Sequence, residues 1–161
     1  MLNGGFTALL LLALAATLVV AAVVDTRTFT ISNRITAGVA LGAPLYWISL
    51  GVDPFPGMAI QVAAGAIVFA VLAVAFYTGM MGGGDVKLAA ALALWFTPAN
   101  TLKFLMLMAI VGGLLTFGIL VWHRARKNAG RPKIPYGVAI AAGALFVLAP
   151  ILTQRFLNQF V

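Results

Sequence analysis

Phe6-Thr-Ala-Leu-Leu-Leu-Leu-Ala-Leu-Ala-Ala-Thr-Leu-Val-Val-Ala-Ala-Val-Val24 is nineteen residues long and carries no charge. As a helix it is roughly 28 Å long, about the thickness of the hydrocarbon core of a bilayer. A cleaved signal peptide would put basic residues ahead of a shorter apolar stretch, and Met1-Leu-Asn-Gly-Gly5 has no lysine or arginine. The run is therefore expected to be a membrane helix. Further apolar runs follow at 35–50, 58–77, 86–96, 102–122 and 136–152. Between them lie turn formers: Gly51-Val-Asp-Pro-Phe-Pro-Gly57, Gly82-Gly-Gly84, Thr97-Pro-Ala-Asn100 and Asn128-Ala-Gly-Arg-Pro132. The expected fold is all-α, a polytopic membrane protein with about six transmembrane helices in one domain covering 1–161. The fourth run has about 11 apolar residues where about 17 is the usual minimum. It is expected to be a short helix entered through a loop that dips into the membrane, tolerated there only if protein or a water-filled cavity satisfies the backbone.

Composition agrees. The 161 residues are 63% hydrophobic and 8% charged, with a mean hydropathy of +1.12; a soluble domain has about 25% charged residues. The net charge of +7 does not suggest nucleic acid, because most basic residues flank apolar runs and form no helical stripe. With six alternating crossings, Arg27, Arg34, Lys87, Arg124, Arg126, Lys127, Arg131 and Lys133 fall on one side, and only Lys103 and Arg155 on the other. The excess of Lys and Arg assigns the first side to the cytoplasm, so both termini face outward. Gly38-Val-Ala-Leu-Gly42 is a small-xxx-small pattern that would let a neighbouring helix come close.

Cysteine is absent and His123 is the sole histidine, so thiolate nucleophiles, histidine triads and multi-histidine metal sites are ruled out. No metal and no cofactor is expected. Chemistry must rest on three aspartates, since glutamate is also absent. Asp53 lies in an outward Pro/Gly loop and reads as a solvated turn residue. Asp25 closes the first apolar run, where a polar boundary residue is the plain reading. Asp85 follows Gly82, Gly83 and Gly84 and reads as an N-cap, a role compatible with catalysis. The topology puts Asp25 and Asp85 at one cytoplasmic depth, and ionisable groups at membrane depth are costly and usually functional. Two carboxyls sharing a site do not both ionise easily, so one can take a proton from water while the other polarises a scissile carbonyl. Asp85 faces the positive end of its own helix and Asp25 a negative one, which favours Asp85 as base and Asp25 as acid.

These residues carry a resemblance. Gly82-Gly-Gly-Asp85, with Lys87 two residues on, is similar to the Gly-x-Gly-Asp signature of the type IV prepilin peptidases. Asp25-Thr-Arg-Thr-Phe-Thr-Ile31-Ser-Asn33 resembles the family's first motif, an aspartate followed by a basic residue and a later Ile-Pro-Asn. Ser32 stands where proline is usual, which is expected to loosen that turn. Ile134-Pro-Tyr-Gly-Val-Ala-Ile140 is similar to the Pro-Tyr/Phe-Gly segment that opens the last helix. The resemblance implies an intramembrane aspartyl endopeptidase with Asp25 and Asp85 as the catalytic pair and Gly82, Gly83 and Gly84 as an active-site loop. Asn33, Lys87, Pro135, Tyr136 and Gly137 would be supporting residues. It also implies prepilin or pseudopilin substrates cut at the cytoplasmic face of a bacterial or archaeal (inner) membrane, membrane lipids as surroundings and pilus-assembly machinery as a possible partner. Larger members add a cysteine-containing insertion and N-methylate the new terminus; neither feature stands here, so methyltransferase activity is not implied. The compact form resembles the branch serving tight-adherence (Flp-type) pili. Two other readings use the same residues: a small ion or proton-coupled channel or transporter, and a non-catalytic pilus-assembly protein. The absence of matched broken helices weighs against the first, and the complete set of aspartates and glycines against the second. The glycines at 82–84 are expected to give the loop freedom to close over an extended substrate, and the substrate's apolar segment to pack laterally on the helices.

Overall fold

The computed structural model describes residues 3–126 and 132–157; Lys127, Arg131 and Val161 therefore lie outside the described residues. Among the described residues six α-helices follow one another: α1 (Asn3–Thr28), α2 (Asn33–Leu50), α3 (Ala59–Tyr77), α4 (Gly83–Ala93), α5 (Pro98–Ala125) and α6 (Tyr136–Leu157), with an irregular turn at Pro54–Met58 leading into α3. No strand occurs among the described residues.

The sequence's punctuation sets the ends. Ser32 caps α2, its hydroxyl accepting the Ile35 N–H at 3.4 Å. The residue expected to loosen the turn thus replaces proline's stiffness with a hydrogen bond. Gly51, at φ +67°, closes α2 in the left-handed conformation that glycine tolerates. Thr97 caps α5 through the Asn100 N–H, with Pro98 in the first turn where no N–H is needed. α1 runs past the apolar stretch to Thr28, so Asp25 lies inside the helix and does not end it.

Four stretches are long and apolar enough to cross a membrane: 4–28, 54–77, 98–125 and 136–157. α2 and α4 fall short. α2 reaches 18 residues only by including Asn33 and Arg34, and α4 has 11 residues, roughly 16 Å of helix. α4 is instead wrapped by protein, with Val86, Leu88, Ala89, Ala91, Leu92 and Ala93 all buried. The indole contacts of this helix lie at its C-terminal end, Leu94 and Trp95, and not at the entry loop for which the sequence asks for partners. The Trp47 indole N–H donates to Leu94 O at 2.8 Å, and the Trp95 indole N–H donates to Val39 O at 2.8 Å. Tyr46 stacks on Trp95 with ring centroids 5.2 Å apart. The first of these contacts satisfies a carbonyl at the end of α4 that lipid could not, and the others fasten that end to α2.

The Gly38/Gly42 pattern receives no helix backbone. A Cβ on Gly42 would lie 2.7 Å from the Trp95 ring, and one on Gly38 would meet nothing. The close backbone approaches occur elsewhere: Gly143 against Met108 N and Phe104 O joins α6 to α5, and Gly84 against Ile31 joins α4 to the α1–α2 turn. α1 also holds α2 through a buried Thr7 to Ser49 hydroxyl bond of 2.9 Å. Because the helices alternate in direction, Arg27, Arg34, Lys87, Arg124, Arg126 and Lys133 come to the end of the bundle that holds Asp25 and Asp85. Lys103 and Arg155 lie at the other.

Candidate active site

Asp25 occupies the last turns of α1. The Phe29 N–H donates to Asp25 O at 2.8 Å, and Phe29, at φ 53°, turns the chain away from the helix axis. The side chain is 2% exposed. Oδ2 accepts the Gly137 backbone N–H at 2.7 Å, one of the first-turn donors of α6 that the helix itself cannot satisfy. A Cβ at position 137 would stand 2.8 Å from both Cβ and Oδ2 of Asp25, so only glycine lets the α6 backbone come this close to the Asp25 side chain.

Asp85 lies in the first turn of α4 but is not its cap. The cap position belongs to Gly82, in extended conformation at φ −73°, ψ 145°. The Asp85 carboxyl leans back on the Gly82 N–H, the arrangement of the reciprocal half of a capping box. Asp25 and Asp85, 60 positions apart in the chain, are close enough for the charge of one to act on the other.

The glycines ahead of Asp85 serve close packing more than freedom of movement, which revises the expectation of a mobile loop. None of the three has positive φ; the left-handed glycine of this turn is Gly79, at +73°. A Cβ on Gly84 would lie 2.8 Å from Ile31 O, one on Gly83 3.2 Å from the Phe76 ring and one on Gly82 2.8 Å from Asp85 Oδ2. Two supporting candidates meet directly: Lys87 Nζ donates to Asn33 Oδ1 at 3.1 Å and ties α4 to the start of α2. Pro135 O accepts the Val138 N–H at 3.2 Å and begins α6. The Tyr136 hydroxyl receives a 3.5 Å bond from Thr116 Oγ1.

A cleft of about 400 Å³ opens over this end. Its walls are residues 28–30 at the end of α1, 79–82 before α4, Asp85 itself, and 132–134 with Tyr136 at the start of α6. Asp85 faces the opening and Asp25 lies behind it. Asp53 is exposed in the turn before α3, at the other end of the bundle. Among the described residues, no group of three or more His, Cys, Asp or Glu side chains comes together. Sequence reasoning placed Gly137 in a supporting segment but missed its partner. The only available signal was a glycine directly after Pro135-Tyr136 at a helix start, and that names no contact 112 positions away.

The fold and site define a multi-pass helical membrane protein with two carboxyls gathered under a cleft at one end of its bundle. A family model for the type IV leader peptidase family matches residues 12–117, about two-thirds of the chain. The chain belongs to that family of peptidases. Comparison with curated proteins and with solved structures gave no match. The matched residues include Asp25 and the Gly82–Asp85 turn; the start of α6, with Gly137, lies beyond them.

Proposed function

We propose that this peptidase is an aspartic-type prepilin leader peptidase that cuts the leader of prepilin or pseudopilin proteins at the cytoplasmic membrane face, with Asp25 and Asp85 as its catalytic pair. The observation that carries this reading is the proximity of the two aspartates, from α1 and α4, with Asp85 on the wall of the cleft at this end of the bundle. Two neighbouring carboxyls titrate as a unit and hold a single proton over a range of pH. In that form the ionised carboxylate removes a proton from water as its oxygen attacks the scissile carbonyl. The protonated carboxyl hydrogen-bonds the carbonyl oxygen and then supplies the leaving amine with its proton. No cofactor enters these steps and no N-methyl transfer is part of the proposal. All six helices cross the membrane in this reading, α4 with its short length compensated by the protein around it, so both termini face outward.

Co-expression of a prepilin with Asp25→Asn and with Asp85→Asn tests the assignment by mobility shift. Both variants are expected to insert normally and to leave the prepilin uncut; near-normal processing by either removes the pair. The chain has no native cysteine, so single cysteines report topology cleanly. Asp53→Cys and Thr97→Cys are expected to react with an impermeant maleimide from outside, and Thr78→Cys only after the membrane is opened.

A further inference from the structure

The two aspartates are held differently. Asp85 borders the cleft and leans on a glycine of its own turn. Asp25 is nearly buried, and its Oδ2 is committed to an amide of another helix. That amide belongs to the first turn of a 22-residue helix, where unsatisfied N–H groups and the helix dipole favour negative charge. An oxygen that accepts an N–H at 2.7 Å does not also carry the acid proton in that direction. Burial opposes a charge on Asp25, and this donor is the contact that counters it.

We propose that the Gly137 backbone amide is a positioning group for the catalytic pair, fixing Asp25 as the charged member and leaving Asp85, at the cleft, to carry the shared proton. This rests on the two-aspartate reading above and reverses the roles that each aspartate's own helix suggests. Asp25 then acts as base through its free Oδ1, with Oδ2 held so that the side chain cannot rotate away. Asp85 presents its proton to the carbonyl of a substrate entering the cleft. The ionisable side chains on the elements around Asp25 are Arg27, Arg34, Asp85, Lys87, Tyr136 and Lys133. Lys87 is engaged by Asn33 and Lys133 stands 5.9 Å over the Phe29 ring, so neither is the bonded partner of Asp25.

Replacing glycine 137 by glycolic acid turns the Tyr136–Gly137 amide into an ester, which deletes the N–H without adding a Cβ. The full-length protein in detergent is assayed on a synthetic peptide with a basic leader, a junction glycine and an apolar segment. Because the amide favours ionised Asp25, its loss makes that group harder to deprotonate. The acid limb of kcat/KM is expected to move up by about one pH unit, roughly tenfold in the ionisation equilibrium, with the alkaline limb unmoved. The same ester at Val138, whose N–H goes to Pro135 O, should move neither limb. Activity lowered uniformly with an unmoved acid limb would make the contact merely structural and overturn the proposal. A second readout needs no substrate: the infrared carboxyl band of isotope-labelled Asp25 in an Asp85→Asn background. It should persist to higher pH in the ester protein, also by about one unit. If that band shifts while the unmodified enzyme cuts no prepilin peptide, the positioning contact stands and the leader-peptidase reading falls. If it does not shift, the positioning role falls whatever the cleavage assay gives.

Discussion

α3 and α4 are consecutive, both are apolar, and each has an aspartate at its approach, Asp53 before the irregular turn that leads into α3 and Asp85 in the first turn of α4. Their surroundings are opposite. In α3 only Gly65 and Val68 are buried, while Ile67, Val71 and Val74 are more than 60% exposed. In α4 Leu88, Ala89, Leu92 and Ala93 have no exposure at all. In water this contrast would show as polarity, but lipid is as apolar as a protein interior, so hydrophobicity alone does not tell a lipid-facing helix from a central one. Length and side-chain size do. α4 is too short to span alone, and its run of alanines lets α2, α3 and α6 close around it. A helix so enclosed can carry an ionisable group that has defined partners, and the exposed start of α3 cannot.

The sharpest way to break this contrast is to exchange the aspartates' fates. Asp85→Asn is expected to lower prepilin cleavage by about 10³-fold, and Asp53→Asn to leave it unchanged. A comparable loss at Asp53 would mean that the two helix starts are not functionally distinct. The next effect is on stability. Leu92→Ala in α4 should cost about 2–5 kcal/mol because it opens a cavity at a fully buried site, whereas Val71→Ala on the lipid face of α3 should cost under about 0.5 kcal/mol. Thermal unfolding in one detergent compares them, and equal shifts would show α4 to be no more central than α3.

Packing at the glycine turn comes third. Gly84→Val meets the Ile31 backbone, which cannot give way, and Gly83→Val meets the Phe76 ring, which can swing. Cleavage is expected to fall about 10²-fold for Gly84→Val and less for Gly83→Val, with crosslinking to a prepilin reduced less than turnover in both. The reverse order would restore the view of a loop that needs freedom. The smallest effect is expected at the tie between α4 and α2. Lys87→Met should cost about 0.5 kcal/mol, the lower end for an exposed hydrogen bond. A double-mutant cycle with Asn33→Ala should return the same value for the pair, and strict additivity would deny the contact.

Much of the fold can be read from the chain. The breaks at Gly51–Gly57, Gly82–Gly84 and Thr97–Asn100 fall where the helices end, because proline and glycine act on the backbone locally. The short fourth helix and its need for backbone partners are also foreseeable. That Trp47 donates to Leu94 O at its far end and Trp95 to Val39 O of α2 is not, since an indole N–H gives no sign in sequence of which carbonyl it will meet. Asp25 reads as a helix end because the apolar run stops at Val24, yet α1 continues to Thr28; hydrophobicity marks where lipid ends and hydrogen bonding marks where a helix does. Asp85 reads as a cap, and Gly82 holds that position. That difference of three residues is a matter of φ and ψ, which glycine leaves open.

By itself the sequence determined the solvent, the helical class and the residues able to do chemistry, because apolar length, turn formers and the scarcity of acids are properties of the chain read in order. Only the tertiary structure decided how Asp25 is held, since its partner amide comes from Gly137 on the last helix. It alone decided which glycines are obligatory, for that depends on what stands opposite a missing Cβ. A backbone N–H has the same chemistry at every position, so its meaning depends on which carboxyl the packing of six helices brings within 2.7 Å.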